Sequence, residues 1–321
     1  MPRRRSSADL PAPFHLLHSH IKSFSWLAIT SFNIPDQFPF MGGFIREFFV
    51  MTKPRVWVFL LLTGISGEVF SLAILKKADF IGFIFVTVYI TLGLMGAESI
   101  SNYFDLPIDR LMKRTVNRPL PSGRMKPQVA LYGGIILVAV MLLMSLYKSI
   151  LSFAFMATGV FDYTIIYSYL TKRKTSWNII LGAYSGGAPL LAGFYAFYPS
   201  FNMLSLLFFL VIMVWTPLHI WTLSIRYMDD YSNASVPMLP VVLGPERTML
   251  VLFPVSVLLT AISFLSGYEM ISYFRGFTGI VVFIVFIALG LYIFISYLRA
   301  LLSRGRVMKL FAATNMFIGA F

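Results

Sequence analysis

Asn102, Asp105 and Asp109 stand three and four residues apart, and the cations Arg110, Lys113, Arg114 and Arg118 follow at once. On a helix this spacing puts the amide and the two carboxylates on one face, one above the other. Such a set makes half a cage for a divalent cation. Mg²⁺ suits it, because it takes oxygen ligands, keeps several waters, and is commonly held by one or two carboxylates plus substrate phosphates. The arginines beyond supply charge and paired donors for those phosphates. The stretch therefore reads as a metal-diphosphate site. On spacing alone, a solvated positive loop carrying two unrelated acids is the alternative reading. Pro107 lacks an amide hydrogen and predicts a kink or helix end between the two carboxylates.

A second dense stretch runs from Trp215 to Gly244 and holds His219, Trp221, Arg226, Asp229, Asp230 and Asn233. Asp229 and Asn233 are four apart and can share a helix face, while Arg226 can reach Asp230. His219 has two readings, a satisfied packing residue or a group beside the reacting atoms. Glu98 lies one turn before Asn102 and nearly on the same face.

The elements that must position these groups are apolar. Hydrophobic residues make up 58% of the chain and charged residues only 12%, against about 25% charged in soluble domains. Apolar runs near 56–75, 80–100, 128–147, 150–170, 178–197, 203–225, 248–268 and 277–298, with a shorter ninth at 307–321, match the length a helix needs to cross a bilayer. The expected fold is all-α: a polytopic transmembrane bundle of about nine helices around a lipid-accessible cavity.

The net charge of +13 sits in short loops that alternate along the chain, which is an orientation signal rather than a nucleic-acid footprint. With the N-terminus inside, the inner side receives Lys53, Arg55, the cluster from Arg110 to Lys126, Lys172 to Lys174, Arg226, Arg247, Arg299, Arg304, Arg306 and Lys309. The outer side keeps Lys76, Lys77, Lys148 and Arg275. Both acid clusters then meet one surface, cytoplasmic in a prokaryotic cell membrane or, alternatively, facing the matrix in a mitochondrial inner membrane. Two half-cages facing each other there would hold a diphosphate and leave a lipidic tail between helices.

Glu68, Glu98 and Asp162 fall inside spans, where an ionisable group faces a bundle interior or a cavity. They allow an ion-coupled transporter as a rival, although both acid clusters lie at one surface instead of mid-bilayer. The absence of cysteine excludes disulfides, iron-sulfur clusters, thiolate catalysis and c-type haem attachment. Residues 1–45, Arg- and Ser-rich at the start and bearing His15, His18 and His20, read as a flexible or surface-lying extension.

Three blocks carry a resemblance. Asn102, Asp105, Asp109, Met112, Arg114, Thr115, Arg118, Pro119 and Leu120 meet the pattern of the UbiA superfamily of intramembrane prenyltransferases. Two further blocks are similar to its protoheme IX farnesyltransferase (haem O synthase) branch. One is Tyr163 and Thr164 with Lys172, Arg173, Thr175, Asn178, Gly182, Gly186, Pro189 and Gly193; the other is Trp215, Thr216, Pro217, His219 and Trp221 followed by Asp229, Asp230, Tyr231 and Pro237 to Val242. Arg226 and Met228 stand where that branch has lysines, Leu218 where it has a second proline, and Glu68 has no counterpart.

The resemblance implies a catalytic domain over residues 46–321 that transfers the farnesyl group of farnesyl diphosphate to a vinyl group of haem b, giving haem O and diphosphate with Mg²⁺ as cofactor. Prenylation of a quinone precursor or chlorophyllide is the alternative within the superfamily. Asn102, Asp105, Asp109 and Asp229 would hold metal, and Arg114, Arg118, Lys172, Arg226, Asp230 and Asn233 would join Asn102 on the diphosphate. Tyr163, Trp215, Trp221 and Glu98 would line the acceptor or prenyl cavity, their aromatic faces stabilising an allylic cation. His219 would sit with the catalytic acids on the porphyrin side. The implied partners are haem b, farnesyl diphosphate, the lipid bilayer, and haem A synthase or terminal oxidase assembly.

Overall fold

The computed structural model describes residues 43–274 and 276–321. The three N-terminal histidines lie outside the described residues. Every regular element within them is helical: α1 (Gly43–Met51), α2 (Pro54–Leu75), α3 (Phe80–Asp109), α4 (Pro127–Lys148), α5 (Ile150–Phe161) continuing as a π-helical segment (Asp162–Thr171), α6 (Asn178–Leu181), α7 (Tyr184–Tyr195), α8 (Met203–Arg226), α9 (Met228–Asn233), α10 (Leu239–Met270), α11 (Phe277–Leu302) and α12 (Val307–Ala320).

The helix starts follow from their first residues. Pro54 and Pro127 occupy first-turn positions, where no amide hydrogen is needed. Asp79, Ser149 and Asn202 cap α3, α5 and α8 by accepting from the amides of Gly82, Ser152 and Ser205. Among the described residues, seven segments are long and apolar enough to cross a membrane, namely α2, α3, α4, Ile150–Thr171, α8, α10 and α11.

Two expected spans differ. The fifth is broken between α6 and α7, where Gly182 lies so close under Tyr167 that a Cβ there would stand 2.7 Å from the Tyr167 Cβ. The ninth, α12, has 14 residues, about 21 Å at 1.5 Å per residue, short of a hydrocarbon core of about 30 Å. Pro107 does not end α3 either. The helix runs through it to Asp109, and the ladder resumes with the Arg110 amide donating to the Leu106 carbonyl at 3.2 Å. A proline costs a helix only its own amide bond and a local clash. α8 does stop at Arg226, because Tyr227 leaves helical geometry (φ −106°, ψ 26°).

Packing brings the motif-bearing helices together. α3 lies on α4 and α2, α2 on α7, and α8 on α7, α10 and α12. The α2–α7 crossing depends on two glycines: a Cβ on Gly67 would collide with the Leu190 carbonyl oxygen, and one on Gly193 with the Gly64 carbonyl oxygen. Membrane helices, without a hydrophobic drive between them, gain their attraction from such close approach. Polar groups inside the spans are satisfied in pairs. Thr87 donates to Glu68 at 3.1 Å, and Asp162 accepts from the Ser185 amide at 2.9 Å.

Candidate active site

The last three turns of α3 carry Glu98, Asn102, Asp105 and Asp109, all buried. Each has its own partner from a different element. Tyr163 in the π-helical segment donates to Glu98 Oε1 at 2.6 Å, and Lys53 Nζ stands 3.2 Å from the other oxygen, Oε2, without the alignment of a hydrogen bond. Asn102 Nδ2 donates to the Met51 carbonyl at the end of α1 over 2.7 Å. Lys172 Nζ donates to Asp105 Oδ2 at 2.6 Å, and Arg118 Nη1 to Asp109 Oδ2 at 3.1 Å.

Lys172 reaches Asp105 because the chain before it is π-helical. Bonds from residue i+5 to i, such as the Lys172 amide to the Tyr167 carbonyl at 2.9 Å, bring Tyr167 beside Lys172, whose ammonium lies 5.3 Å from the ring centroid. Tyr163 stacks on Tyr167 at 5.7 Å. The wide turn is held to α3 by serines. Ser168 commits its hydrogen to the Tyr163 carbonyl at 2.9 Å, so Ser101 donates to Ser168 at 2.8 Å, and its 3.5 Å approach to Asp105 is only a contact. Burial alone would lower the Lys172 pKa, but the Asp105 carboxylate, with Tyr167 and Asp109 adding to it, holds it above the ordinary lysine value. The ammonium is thus charged at any physiological pH.

The second acid stretch meets the first through Arg114. Its Nη2 donates to the Tyr231 hydroxyl at 2.9 Å, its Nε stands 4.0 Å from Asp230 Oδ2, and its guanidinium lies 5.2 Å from the ring centroids of both Tyr227 and Tyr231. Asp230, rather than Asp229, is the acid turned toward α3's end. Asp229, Asn233 and Arg226 are exposed. The expected pairing of Arg226 with Asp230 does not form, since the break at Tyr227 rotates α9 away; Arg226 instead lies 5.9 Å from the Tyr227 ring centroid. Trp221 lies deeper than the other aromatic residues of this stretch. It is 0% exposed in the apolar core, edge-on to the exposed Trp177. Trp215 and His219 stack on one another, 4.4 Å between centroids.

The donors present fit a hard divalent cation. Asp105 Oδ1 is buried without a hydrogen-bond partner, and Asn102, having spent its amide hydrogen on Met51, keeps its carbonyl oxygen uncommitted. Among the described residues no three acidic or imidazole side chains stand close enough to hold an ion by themselves. Any such ion would therefore complete its shell with water and, when substrate is bound, with phosphate oxygens.

The residues that sequence reading missed as site members are Lys53, Ser101, Tyr167, Ser168 and Tyr231. Tyr231 adjoins the two acids and Lys53 precedes a helix-starting proline, signals that were open to reading. Tyr167 carried none, since apolar periodicity does not tell a π turn from an α turn.

The profile of the UbiA prenyltransferase family matches residues 58–320. The chain belongs to the UbiA prenyltransferase family. That membership sets aside the ion-coupled transporter. Two relatives named protoheme IX farnesyltransferase are close in sequence. The one from Thermoplasma volcanium is 44% identical over 196 residues, covering 61% of this chain and 68% of the relative. The second, protoheme IX farnesyltransferase 1 of Picrophilus torridus, is 38% identical over 247 residues, covering 77% and 81%. The solved structure of a UbiA homolog from Archaeoglobus fulgidus, bound to DMAPP and Mg²⁺, is 16% identical with a TM-score of 0.67 and covers 85% of this chain and 97% of that one. At that identity the shared property is the fold.

Proposed function

We propose that this UbiA-family prenyltransferase transfers the farnesyl group of farnesyl diphosphate to a vinyl group of haem b, forming haem O and diphosphate in a Mg²⁺-dependent reaction, and that residues 46–321 are its catalytic domain. The reading rests on one observation above the rest: relatives bearing the protoheme IX farnesyltransferase name match over most of the chain. The buried row of α3 acids faced by Lys172, Arg118 and Arg114 supports the same chemistry.

Asp105 and Asn102 would hold Mg²⁺, with Asp109 and the second acid stretch, Asp229, Asp230 and Asn233, completing the surroundings of the diphosphate. When bound, the ion supplies Lewis-acid stabilisation of the diphosphate oxygens. Lys172, Arg114 and Arg118 donate to those oxygens as the allylic carbon–oxygen bond breaks and negative charge grows on the departing group; fixed donors aimed at developing charge lower a barrier most in a water-poor site. The faces of Tyr163 and Tyr167, which stack on one another, and that of Trp215 would stabilise the allylic cation. The vinyl carbon then bonds to the farnesyl carbon, and water adds to the neighbouring carbon with loss of a proton, giving the hydroxyethyl farnesyl side chain. Because cations crowd the loops at the motif end, this surface is the cytoplasmic one in a cell membrane.

Two experiments test the reading. Mass spectrometry of haem extracted from cells with and without the protein should find haem O only where the protein is present. Membranes given farnesyl diphosphate with either haem b or an aromatic acceptor should prenylate haem b; prenylation of the aromatic acceptor alone would overturn the assignment.

A further inference from the structure

His219 is held on three sides. Trp215 covers one face of the imidazole, with 4.4 Å between centroids and 17° between planes, and Phe311 from α12 stacks on it at 4.7 Å and 26°. Nδ1 lies 2.9 Å from Thr314 Oγ1. The Thr314 hydroxyl gives its hydrogen to the Phe311 carbonyl at 2.7 Å, so toward His219 it acts as an acceptor. Nδ1 therefore carries the ring proton and Nε2 the lone pair. The Trp215 indole donates to the Thr314 carbonyl at 2.8 Å, which fixes α8 against α12 around the ring. Nε2 makes no hydrogen bond among the described residues and is not sealed from the space around it.

A neutral imidazole with Nδ1–H held by an acceptor and a bare Nε2 is the arrangement that metal-binding histidines adopt, because the acceptor fixes the tautomer and raises the basicity of the ligating nitrogen. Mg²⁺ prefers oxygen and would pass it over. Haem iron takes imidazole as an axial ligand. A cavity of about 570 Å³ lies toward the Arg226 end of α8, lined by Arg226, Glu246, Met249, Val307 and Met308 and not by His219 itself; Met308 is three residues before Phe311 on α12. Arg226 is seven residues beyond His219, on the same side of α8 and about 10 Å further along its axis. That offset suits a porphyrin whose iron meets Nε2 and whose propionate meets the guanidinium.

We propose that His219 Nε2 is the axial ligand of the iron of haem b in the acceptor complex. The proposal rests on haem b being the acceptor. Ligation is a lone-pair donation in which iron keeps its oxidation state and no proton is released. It would fix the porphyrin before the farnesyl group arrives.

The test titrates purified protein in detergent with haem b, read by absorption and, for the ferrous form, by resonance Raman scattering of the iron–imidazole stretch. The wild type should give an imidazole-ligated spectrum. His219→Gly should lose it and regain it on addition of free imidazole, and His219→Tyr should replace it with a phenolate-ligated spectrum. Thr314→Val should keep the ligand but lower the stretching frequency, which a purely structural role for the hydroxyl would not do. Wild-type and His219→Gly spectra that coincide would overturn the proposal. Haem O production measured in the same preparations keeps the two readings apart: haem O formed with a spectrum independent of His219 sinks ligation alone, and a His219-dependent spectrum without haem O sinks the reaction alone.

Discussion

Lys172 Nζ stands 2.6 Å from Asp105 Oδ2 across 67 residues of sequence, so the end of the π-helical segment is tied to the middle acid of α3. Asp105 is buried and the Lys172 side chain only 13% exposed, and each is the other's counter-ion.

Removing the cation should have two separable effects. Lys172→Met is expected to lower haem O formation by about 10²–10³-fold, the scale set by loss of one fixed donor to developing charge, and Lys172→Arg should recover part of it. The same Met variant leaves Asp105 buried and unpaired, which costs about 3–5 kcal/mol. Because the folded pKa of Lys172 is raised, its stabilisation is whole below the unfolded lysine value of about 10.4 and is lost only as pH climbs past it. The gap in unfolding temperature between wild type and variant should therefore be flat from about pH 6 to 9.

Chelation tests the metal. Treating membranes with EDTA should abolish farnesyl transfer, and added Mg²⁺ should restore it. The expectation rests on the proposed Mg²⁺ role and on the two oxygens offered to it, the orphaned Asp105 Oδ1 and the Asn102 carbonyl.

Glu98 supplies an ordering of stabilities. Tyr163→Phe deletes a donor to a buried carboxylate, a loss of about 1.5–3 kcal/mol. Lys53→Met deletes its cation and should cost more, about 3–5 kcal/mol. Thermal unfolding in detergent should rank them in that order; the reverse order would refute the ion pair as the main support of Glu98.

The α2–α7 crossing should tolerate no side chain. Gly193→Ala forces the helices apart and is expected to cost about 1–3 kcal/mol, seen as a lower unfolding temperature and reduced yield of folded protein. Gly43→Ala, whose new Cβ would meet nothing within 4 Å among the described residues, is the matched control.

The amino-acid sequence by itself determined that this is a membrane bundle, where most of its helices lie, and which acids face inward on α3. Those properties follow from composition and from a 3.6-residue period, both local along the chain. It also brought Glu98 into the right neighbourhood, since one helical turn sets its face. The partners of these acids were decided only by tertiary structure. Arg114 pairs with Tyr231 and Asp230, 117 residues away in the first case, while the adjacent Arg226 does not, because a single non-helical residue at Tyr227 turns α9. Tyr167 reached Lys172 through a π turn that leaves no mark on hydropathy. Pairing of charges across helices depends on where backbones cross and break, and that geometry is fixed by close packing at residues such as Gly67, Gly182 and Gly193, whose effect no local spacing encodes.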